Sequence, residues 1–144
     1  MAALPGVTLD ILIVDDAKIM RDRIAAILQN NGTNVVMRQA ADVRSAVTAI
    51  ESCEPNVVIL DISMPGTYSL RNGIDLLRWT KKTRPMVNVI MLTNLSEEAY
   101  RKECARLGAY AFLDKTSEFD RLPQLIDTIA GLGSGPMWTL PSSM

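Results

Sequence analysis

The stretch Val57-Val58-Ile59-Leu60-Asp61 decides how the sequence is interpreted. Four apolar residues, three of them β-branched, end in a carboxylate, and the breaker pair Pro65-Gly66 follows shortly afterwards. An apolar run without alternation is typical of a strand buried on both faces. In open α/β sheets, ligands bind beyond the carboxyl ends of the strands, which makes Asp61 a candidate functional residue. Taken alone, a carboxylate in this position more often caps a strand or begins a turn.

Composition is that of an ordinary globular chain and excludes several classes of protein. The 144 residues are 48% apolar and 22% charged, which indicates one domain with a hydrophobic core. The net charge of −1 and the absence of a basic patch argue against a nucleic-acid partner. No apolar run approaches the roughly 20 residues that a membrane span requires. The first residues lack a secretory signal pattern and the two cysteines lack CxxC spacing, so we expect a cytoplasmic protein.

The chain contains no histidine. This removes Ser-His-Asp and Cys-His catalysis, and it removes histidine as a metal ligand. Any chemistry must therefore come from carboxylates, hydroxyls, lysine or a metal ion that prefers oxygen ligands.

Strand patterns alternate with helical patterns along the chain. Strands are predicted at residues 9–14, 34–38, 57–60, 87–92 and 110–113. Helices are predicted at 17–30, 42–53, 73–83, 96–107 and about 119–130, with Ser96 as an N-cap. The alternation predicts an α/β fold, a five-stranded parallel sheet with helices on both faces. We expect a leader at 1–8 and a flexible tail at 131–144.

Four of the five predicted strands end in polar side chains, which are Asp15 with Asp16, Asp61, Thr93 and Lys115. The carboxyl ends of parallel strands share one edge of a sheet, so these residues should converge. Crowded carboxylates are unfavourable unless a cation joins them, and oxygen ligands alone suit Mg²⁺ or Mn²⁺. An aspartate can also act as a nucleophile toward phosphorus, with a lysine and a hydroxyl stabilising the transferred group. Each residue has a structural alternative: Lys115 could only neutralise the acids, and Thr93 could only cap a helix.

The motifs around these residues resemble the receiver domain of bacterial two-component response regulators. They are Ile-Leu-Ile-Val-Asp-Asp at 11–16, Val-Ile-Leu-Asp-Ile-Ser-Met-Pro-Gly at 58–66, Val-Ile-Met-Leu-Thr at 89–93 and Ala-Phe-Leu-Asp-Lys at 111–115. The resemblance covers residues 9–130. It implies the flavodoxin-like, CheY-like (βα)5 fold with strand order 2-1-3-4-5.

The resemblance also implies a role for each site residue. Asp61 would be the phosphoacceptor. Asp16, Asp61 and the backbone carbonyl of Ser63 would bind Mg²⁺ directly, and Asp15 would act mainly through water.

The remaining implied roles concern the phosphoryl group and the response to it. Thr93 would contact the phosphoryl group and Lys115 would pair with it. Phe112 matches the aromatic switch position, although a core aromatic of the strand fits the sequence equally well.

Three departures from the family pattern stand beside the site. Thr116 follows the lysine where the family usually has a proline in a cis peptide. Asn94 follows Thr93 where a small residue is usual, and it could restrict access to Asp61. The loop before the third helix is about four residues longer, through segment 67–72, which is either a tolerated surface insertion or a determinant of partner choice.

The leading hypothesis is a single-domain response regulator. A histidine kinase or a histidine phosphotransfer protein would phosphorylate Asp61 and thereby switch a surface that binds a downstream protein. We expect a monomer or weak dimer that is a signalling switch and not a conventional enzyme, with no nucleic-acid or membrane partner. One alternative is a phosphorylation-independent interaction module that retains the fold. Another is a Mg²⁺-dependent phosphohydrolase, against which stands Ser63 where that class has a second aspartate.

Overall fold

A computed structural model describes residues 8–29 and 33–132. The strands are β1 (Thr8–Val14), β2 (Asn34–Ala40), β3 (Val57–Leu60), β4 (Asn88–Thr93) and β5 (Ala111–Asp114). The helices are α1 (Lys18–Gln29), α2 (Val43–Cys53), α3 (Gly73–Thr83), α4 (Glu98–Arg106) and α5 (Leu122–Leu132), and a short 3₁₀ turn (Phe119–Arg121) precedes α5.

All four strand pairings are parallel, and the order across the sheet is β2-β1-β3-β4-β5. The predicted fold class and strand order are therefore confirmed. The register pairs Val14 with Leu60, and Thr93 with Asp114. The carboxyl ends of β1, β3, β4 and β5 consequently lie side by side at one edge of the sheet.

The sheet separates two hydrophobic clusters. Alternate strand residues such as Ile13 and Ile59 pack with α1 and α5 on one face. Their neighbours Val14 and Leu60 pack with α2, α3 and α4 on the other face. Both faces are apolar, which explains why the strands show no polar alternation in sequence. Each large aliphatic side chain buried in this way contributes about 1.5–3 kcal/mol to folding.

Several element boundaries differ from those predicted. β1 begins at Thr8, inside the predicted leader, and β2 continues to Ala40 because it pairs with β1 over its whole length. α5 continues through Gly131, where the predicted tail begins. The rest of the leader (1–7) and of the tail (133–144) lies outside the described residues.

The predicted N-cap of α4 is wrong. Glu97 occupies that position and makes no side-chain capping bond. The Ser96 side chain instead lies close enough to Asp114, at the end of the neighbouring strand β5, to help lower the pKa of that carboxyl.

None of the helices in the described ranges is both long enough and apolar enough to cross a membrane.

Candidate functional site

Three of the predicted site residues meet at the carboxyl edge of the sheet. The Lys115 ammonium Nζ lies 2.6 Å from Asp15 Oδ2 and 2.8 Å from Asp61 Oδ2. The Lys115 side chain is 10% exposed, and both aspartates are buried. One cation is thus shared by two carboxylates whose residues directly follow β1 and β3, neighbours in the sheet.

Local turns hold each carboxylate in place. Asp15 Oδ1 accepts a hydrogen bond from the backbone N–H of Ala17 at 2.8 Å, and Asp61 Oδ1 accepts one from the N–H of Ser63 at 3.2 Å. These bonds are formed where the chain leaves a strand and turns, which an aspartate favours because its side chain can bond two residues ahead. The second oxygen of each carboxylate is left to face Lys115.

The charge state of Lys115 follows from these contacts. Burial disfavours the ammonium form, but the hydrogen bonds and the charges of Asp15 and Asp61 outweigh burial and raise the pKa of Lys115 above its usual value. Lys115 therefore stays positively charged at neutral pH. A buried cation with two anions leaves the cluster with an excess of negative charge.

The other predicted residues lie around this cluster in different ways. Thr93 ends β4 and is fully buried, and its hydroxyl oxygen accepts a hydrogen bond from the N–H of Leu95 at 3.2 Å. The hydroxyl hydrogen remains able to donate. Asp16 and Ser63 are exposed at the mouth of the site.

The donor set fits a hard divalent cation. Two buried carboxylates lie at one sheet edge with an excess negative charge, and the exposed Asp16 follows directly on Asp15. Such oxygen ligands with open positions suit Mg²⁺. Among the described residues, however, no group of three or more His, Cys, Asp or Glu side chains is already arranged to hold a metal ion. Lys115 is the cation between the two buried carboxylates.

Comparison with known proteins identifies the family. The family model for the response regulator receiver domain matches residues 11–127. The chain belongs to the response regulator receiver domain family. It is thus a receiver domain of two-component systems, and this family is one of signalling domains.

Individual relatives agree with the assignment. The receiver domain is 32% identical over 121 residues to protein CcdB of Bacillus subtilis (strain 168), covering 84% of this chain and 97% of that protein. The structure of NtrX from Brucella abortus is 35% identical with a TM-score of 0.72, and the match covers 83% of this chain and 26% of NtrX. The BeF3-activated DrrB receiver domain, at 24% identity and a TM-score of 0.70 over 83% of this chain and 95% of that one, supports the fold alone. Against three further curated relatives, the matched region spans only 24% to 34% of their length.

Phe112 of the receiver domain, the predicted switch aromatic, is buried in β5. The guanidinium of Arg101, from α4, lies over its ring at 4.8 Å from the centroid, and Arg101 also donates to the Phe112 carbonyl at 3.3 Å. A guanidinium over a ring face is an attractive cation–π geometry. Arg101 thus covers the aromatic on the side of α4.

Thr116 and Asn94, which were predicted to depart from the family pattern, lie at the mouth of the site. The hydroxyl of Thr116 is 3.4 Å from Asn94 Oδ1, a long hydrogen bond between the loops after β5 and β4. No cis peptide bond occurs within residues 8–29 and 33–132, so the chain passes Thr116 in the trans form. Both side chains are exposed, beside an open cavity of about 360 Å³ that Lys115 also lines.

The long loop between β3 and α3 is folded on itself. The N–H of Thr67 donates to the carbonyl of Leu70 at 2.7 Å, and the N–H of Leu70 donates back to the Thr67 hydroxyl at 3.0 Å. Gly73 closes the loop by donating to the Ile62 carbonyl at 2.8 Å. Tyr68 stands at the tip with a fully exposed side chain.

Sequence reasoning missed two charged residues that contact the site's framework. Arg21, on α1, donates to the Asp15 carbonyl at 2.8 Å, and Glu118 accepts from the N–H of Asp114, next to Lys115, at 2.9 Å. Charged residues on or before a helix are usually solvated, so their spacing in the sequence does not indicate a contact with the site. Only the tertiary contacts reveal them.

Proposed function

We propose that Asp61 is the phosphoacceptor of a Mg²⁺-dependent transfer from a phosphohistidine on a partner protein. The observation that carries the proposal is the shared contact of Lys115 with Asp15 and Asp61 at the carboxyl edge of the sheet. It combines a buried carboxylate nucleophile with a fixed positive charge, the two groups that phosphoryl transfer needs most.

The transfer exchanges one bond to phosphorus for another. A carboxylate oxygen of Asp61 forms the new O–P bond while the N–P bond of the phosphohistidine breaks. The imidazole nitrogen keeps the electron pair and takes up a proton. The product is an acyl phosphate on Asp61, and the partner's histidine is restored.

Each neighbouring residue has a separate task in this proposal. Lys115 exchanges a carboxylate oxygen of Asp61 for an oxygen of the phosphoryl group and neutralises part of its charge. The buried Thr93 hydroxyl donates its hydrogen to a second phosphoryl oxygen while its oxygen keeps the bond from Leu95. Binding of Mg²⁺ would fall to Asp16, Asp61 and the Ser63 carbonyl, with Asp15 acting through water, and the ion would supply further charge neutralisation.

In this proposal, phosphorylation changes the surface that binds a downstream protein. Displacement of Thr93 toward the phosphoryl group would shift the loop after β4, and Phe112 would respond beneath Arg101. The changed surface would then bind a downstream protein. The partners are a histidine kinase or a histidine phosphotransfer protein and a protein target, in the cytoplasm, and the domain acts as a switch and not as a conventional enzyme.

Intact-mass analysis after incubation with acetyl phosphate and Mg²⁺ tests the proposal. We expect one added phosphoryl group on the wild-type protein, none after omission of Mg²⁺, and none on Asp61→Asn. Asp10→Asn, which changes a partly exposed aspartate near the start of β1 and away from the carboxyl edge, is the matched control and should be phosphorylated normally.

A protein that binds Mg²⁺ yet acquires no phosphoryl group would contradict the proposal. That result would favour an interaction module that works without phosphorylation. Continuous hydrolysis of a phosphomonoester would instead indicate a phosphohydrolase.

A further inference from the structure

The carboxylates of Asp114 and Glu118 stabilise the loop that carries Lys115 by hydrogen bonds to its backbone. Asp114 Oδ1 accepts hydrogen bonds from the backbone N–H groups of Thr116 and Ser117, both at 2.9 Å. Glu118 closes the turn twice, since its N–H donates to the Asp114 carbonyl and its Oε1 accepts from the Asp114 N–H, both at 2.9 Å. Lys115 therefore lies inside a turn whose backbone is fixed on both sides.

The same carboxylates tie this turn to the elements beside it. Arg101 donates to Glu118 Oε1 at 2.8 Å and to the Ser96 carbonyl at 3.4 Å. The Ser96 side chain also interacts with the Asp114 carboxylate. Side chains of α4 and of the loop after β4 are thereby joined to the loop after β5.

We propose that Asp114 and Glu118 are positioning residues that hold the Lys115 ammonium between Asp15 and Asp61. This inference rests on the proposed function, because it concerns the lysine assigned to the phosphoryl group. Asp114 and Glu118 do not touch the reacting atoms. They act through the backbone on either side of Lys115.

The physical argument is one of conformational freedom. Fixing a lysine side chain costs up to about 2 kcal/mol of rotamer entropy. The ammonium therefore keeps its contact with the carboxylates only when the backbone conformation of the lysine directs the side chain toward them. Thr116 and Ser117 offer no ring constraint to this turn. The three hydrogen bonds accepted by the two carboxylates supply it, together with the backbone bond from the Glu118 N–H to the Asp114 carbonyl. A buried ion pair is also sensitive to geometry, because its attraction must offset desolvation.

Lys115 and Mg²⁺ compete for the same carboxylates, so the proposal predicts opposite changes in Mg²⁺ affinity and in the rate of phosphorylation. The ammonium occupies the carboxylate oxygens of Asp15 and Asp61 that face the site. A loosened turn releases Lys115, so Mg²⁺ should bind more tightly while phosphorylation becomes slower. General damage to the site would instead weaken both.

The experiment compares Glu118→Ala and Glu118→Gln with Glu103→Gln. Glu103 is a matched control because it also pairs with arginines, Arg106 at 2.6 Å and Arg78 at 3.7 Å, but lies on α4 away from the turn. Mg²⁺ affinity is measured by calorimetry, and the rate of phosphorylation by acetyl phosphate is measured at saturating Mg²⁺. Each variant is also made with Lys115→Ala.

We expect Glu118→Ala to tighten Mg²⁺ binding about threefold and to slow phosphorylation by at least a similar factor, as is typical for coupled neighbours. Glu118→Gln keeps an acceptor oxygen and should lie between Glu118→Ala and the wild type, and it serves alone if Glu118→Ala does not fold. Glu103→Gln should match the wild type. With Lys115→Ala in place, Glu118 substitutions should change Mg²⁺ affinity no further.

Three results separate the possible failures. Equal behaviour of the Glu118 and Glu103 variants overturns the inference. Weaker Mg²⁺ binding in both Lys115 backgrounds also overturns it, because the effect is then structural. If the Mg²⁺ pattern holds but the wild type is never phosphorylated, the positioning role stands and the proposed function fails.

Discussion

The Lys115 ammonium lies 2.6 Å from the Asp15 carboxylate, slightly nearer than the 2.8 Å that separates it from Asp61. The lysine therefore stabilises Asp15, which follows β1, as much as the proposed nucleophile Asp61, which follows β3. Its removal leaves two buried carboxylates without a neutralising cation, which links the stability of the fold to the occupancy of the site.

We predict that Lys115→Ala lowers the free energy of unfolding by about 3 kcal/mol in the absence of Mg²⁺, the size expected when one member of a buried ion pair is removed. A bound cation stabilises the folded state in proportion to its affinity, so saturating Mg²⁺ should restore much of the loss. Urea denaturation with and without Mg²⁺ measures both values. A loss that Mg²⁺ leaves unchanged would argue against a shared site for Lys115 and the metal ion.

Replacement of Gly73 at the start of α3 is predicted to destabilise the protein. A Cβ at this position would lie 2.0 Å from the backbone carbonyl oxygen of Asp61, so Gly73→Ala must displace β3 or α3. We expect a loss of about 1–3 kcal/mol, as for overpacked sites. Gly131→Ala is the control, because a Cβ there meets nothing within 4 Å. In an α-helix the change should stabilise the protein by up to about 1 kcal/mol. Equal effects of the two substitutions in thermal denaturation would contradict the prediction.

The contribution of Asp114 should depend on pH. Its hydrogen bonds with Ser96 and with the N–H groups of Ser117 and Thr116 lower its pKa from 3.8 to about 2. A depressed folded-state pKa gives stability that is complete above pH 4 and is lost as the pH falls toward 2. The difference in unfolding free energy between wild type and Asp114→Asn should therefore be constant from pH 7 to 5 and shrink at pH 3. A difference that does not change with pH would show that the carboxylate charge is unimportant here.

Substitution of Tyr68 tests partner recognition separately from the phosphorylation chemistry. Because its side chain is fully exposed, Tyr68→Ala should change stability by no more than about 0.5 kcal/mol and leave phosphorylation by acetyl phosphate unchanged. If the long loop contributes to partner choice, phosphotransfer from the cognate phosphohistidine protein should slow, since exposed tyrosines often anchor interfaces. Identical transfer rates for variant and wild type would leave the loop as a tolerated insertion.

The fold was predictable because each strand is a continuous apolar run followed by a break. Strands such as β3 and β4 are buried on both faces, so a continuous run of apolar residues identifies each of them in the sequence without knowledge of the strand pairing. The approach of Asp15, Asp61 and Lys115 was predictable for a related reason, since parallel strands end at a common edge. The roles of Asp16 and Ser63 as metal ligands, and of Phe112 as a switch, stay predictions.

The remaining features depend on contacts between distant elements. Ser96 resembles an N-cap in sequence, yet Glu97 occupies that position and the Ser96 side chain interacts with Asp114 at the end of β5. Arg101 and Glu118 are 17 positions apart and meet only when α4 lies beside the loop after β5. The extent of β2 was underestimated because an edge strand is only half-buried, and its polar residues resemble those of a loop.

Two backbone hydrogen bonds anchor the loop from Ile62 to Gly73. The Gly73 N–H donates to the Ile62 carbonyl, and the Pro65 carbonyl accepts from the N–H of Val43. The turn from Thr67 to Leu70 is closed by its own hydrogen bonds. Replacement of the residues at the tip therefore need not disturb Asp61 or its neighbours. We therefore expect a fluorophore or a grafted epitope at position 68 to report on an approaching protein while the phosphorylation chemistry proceeds unchanged.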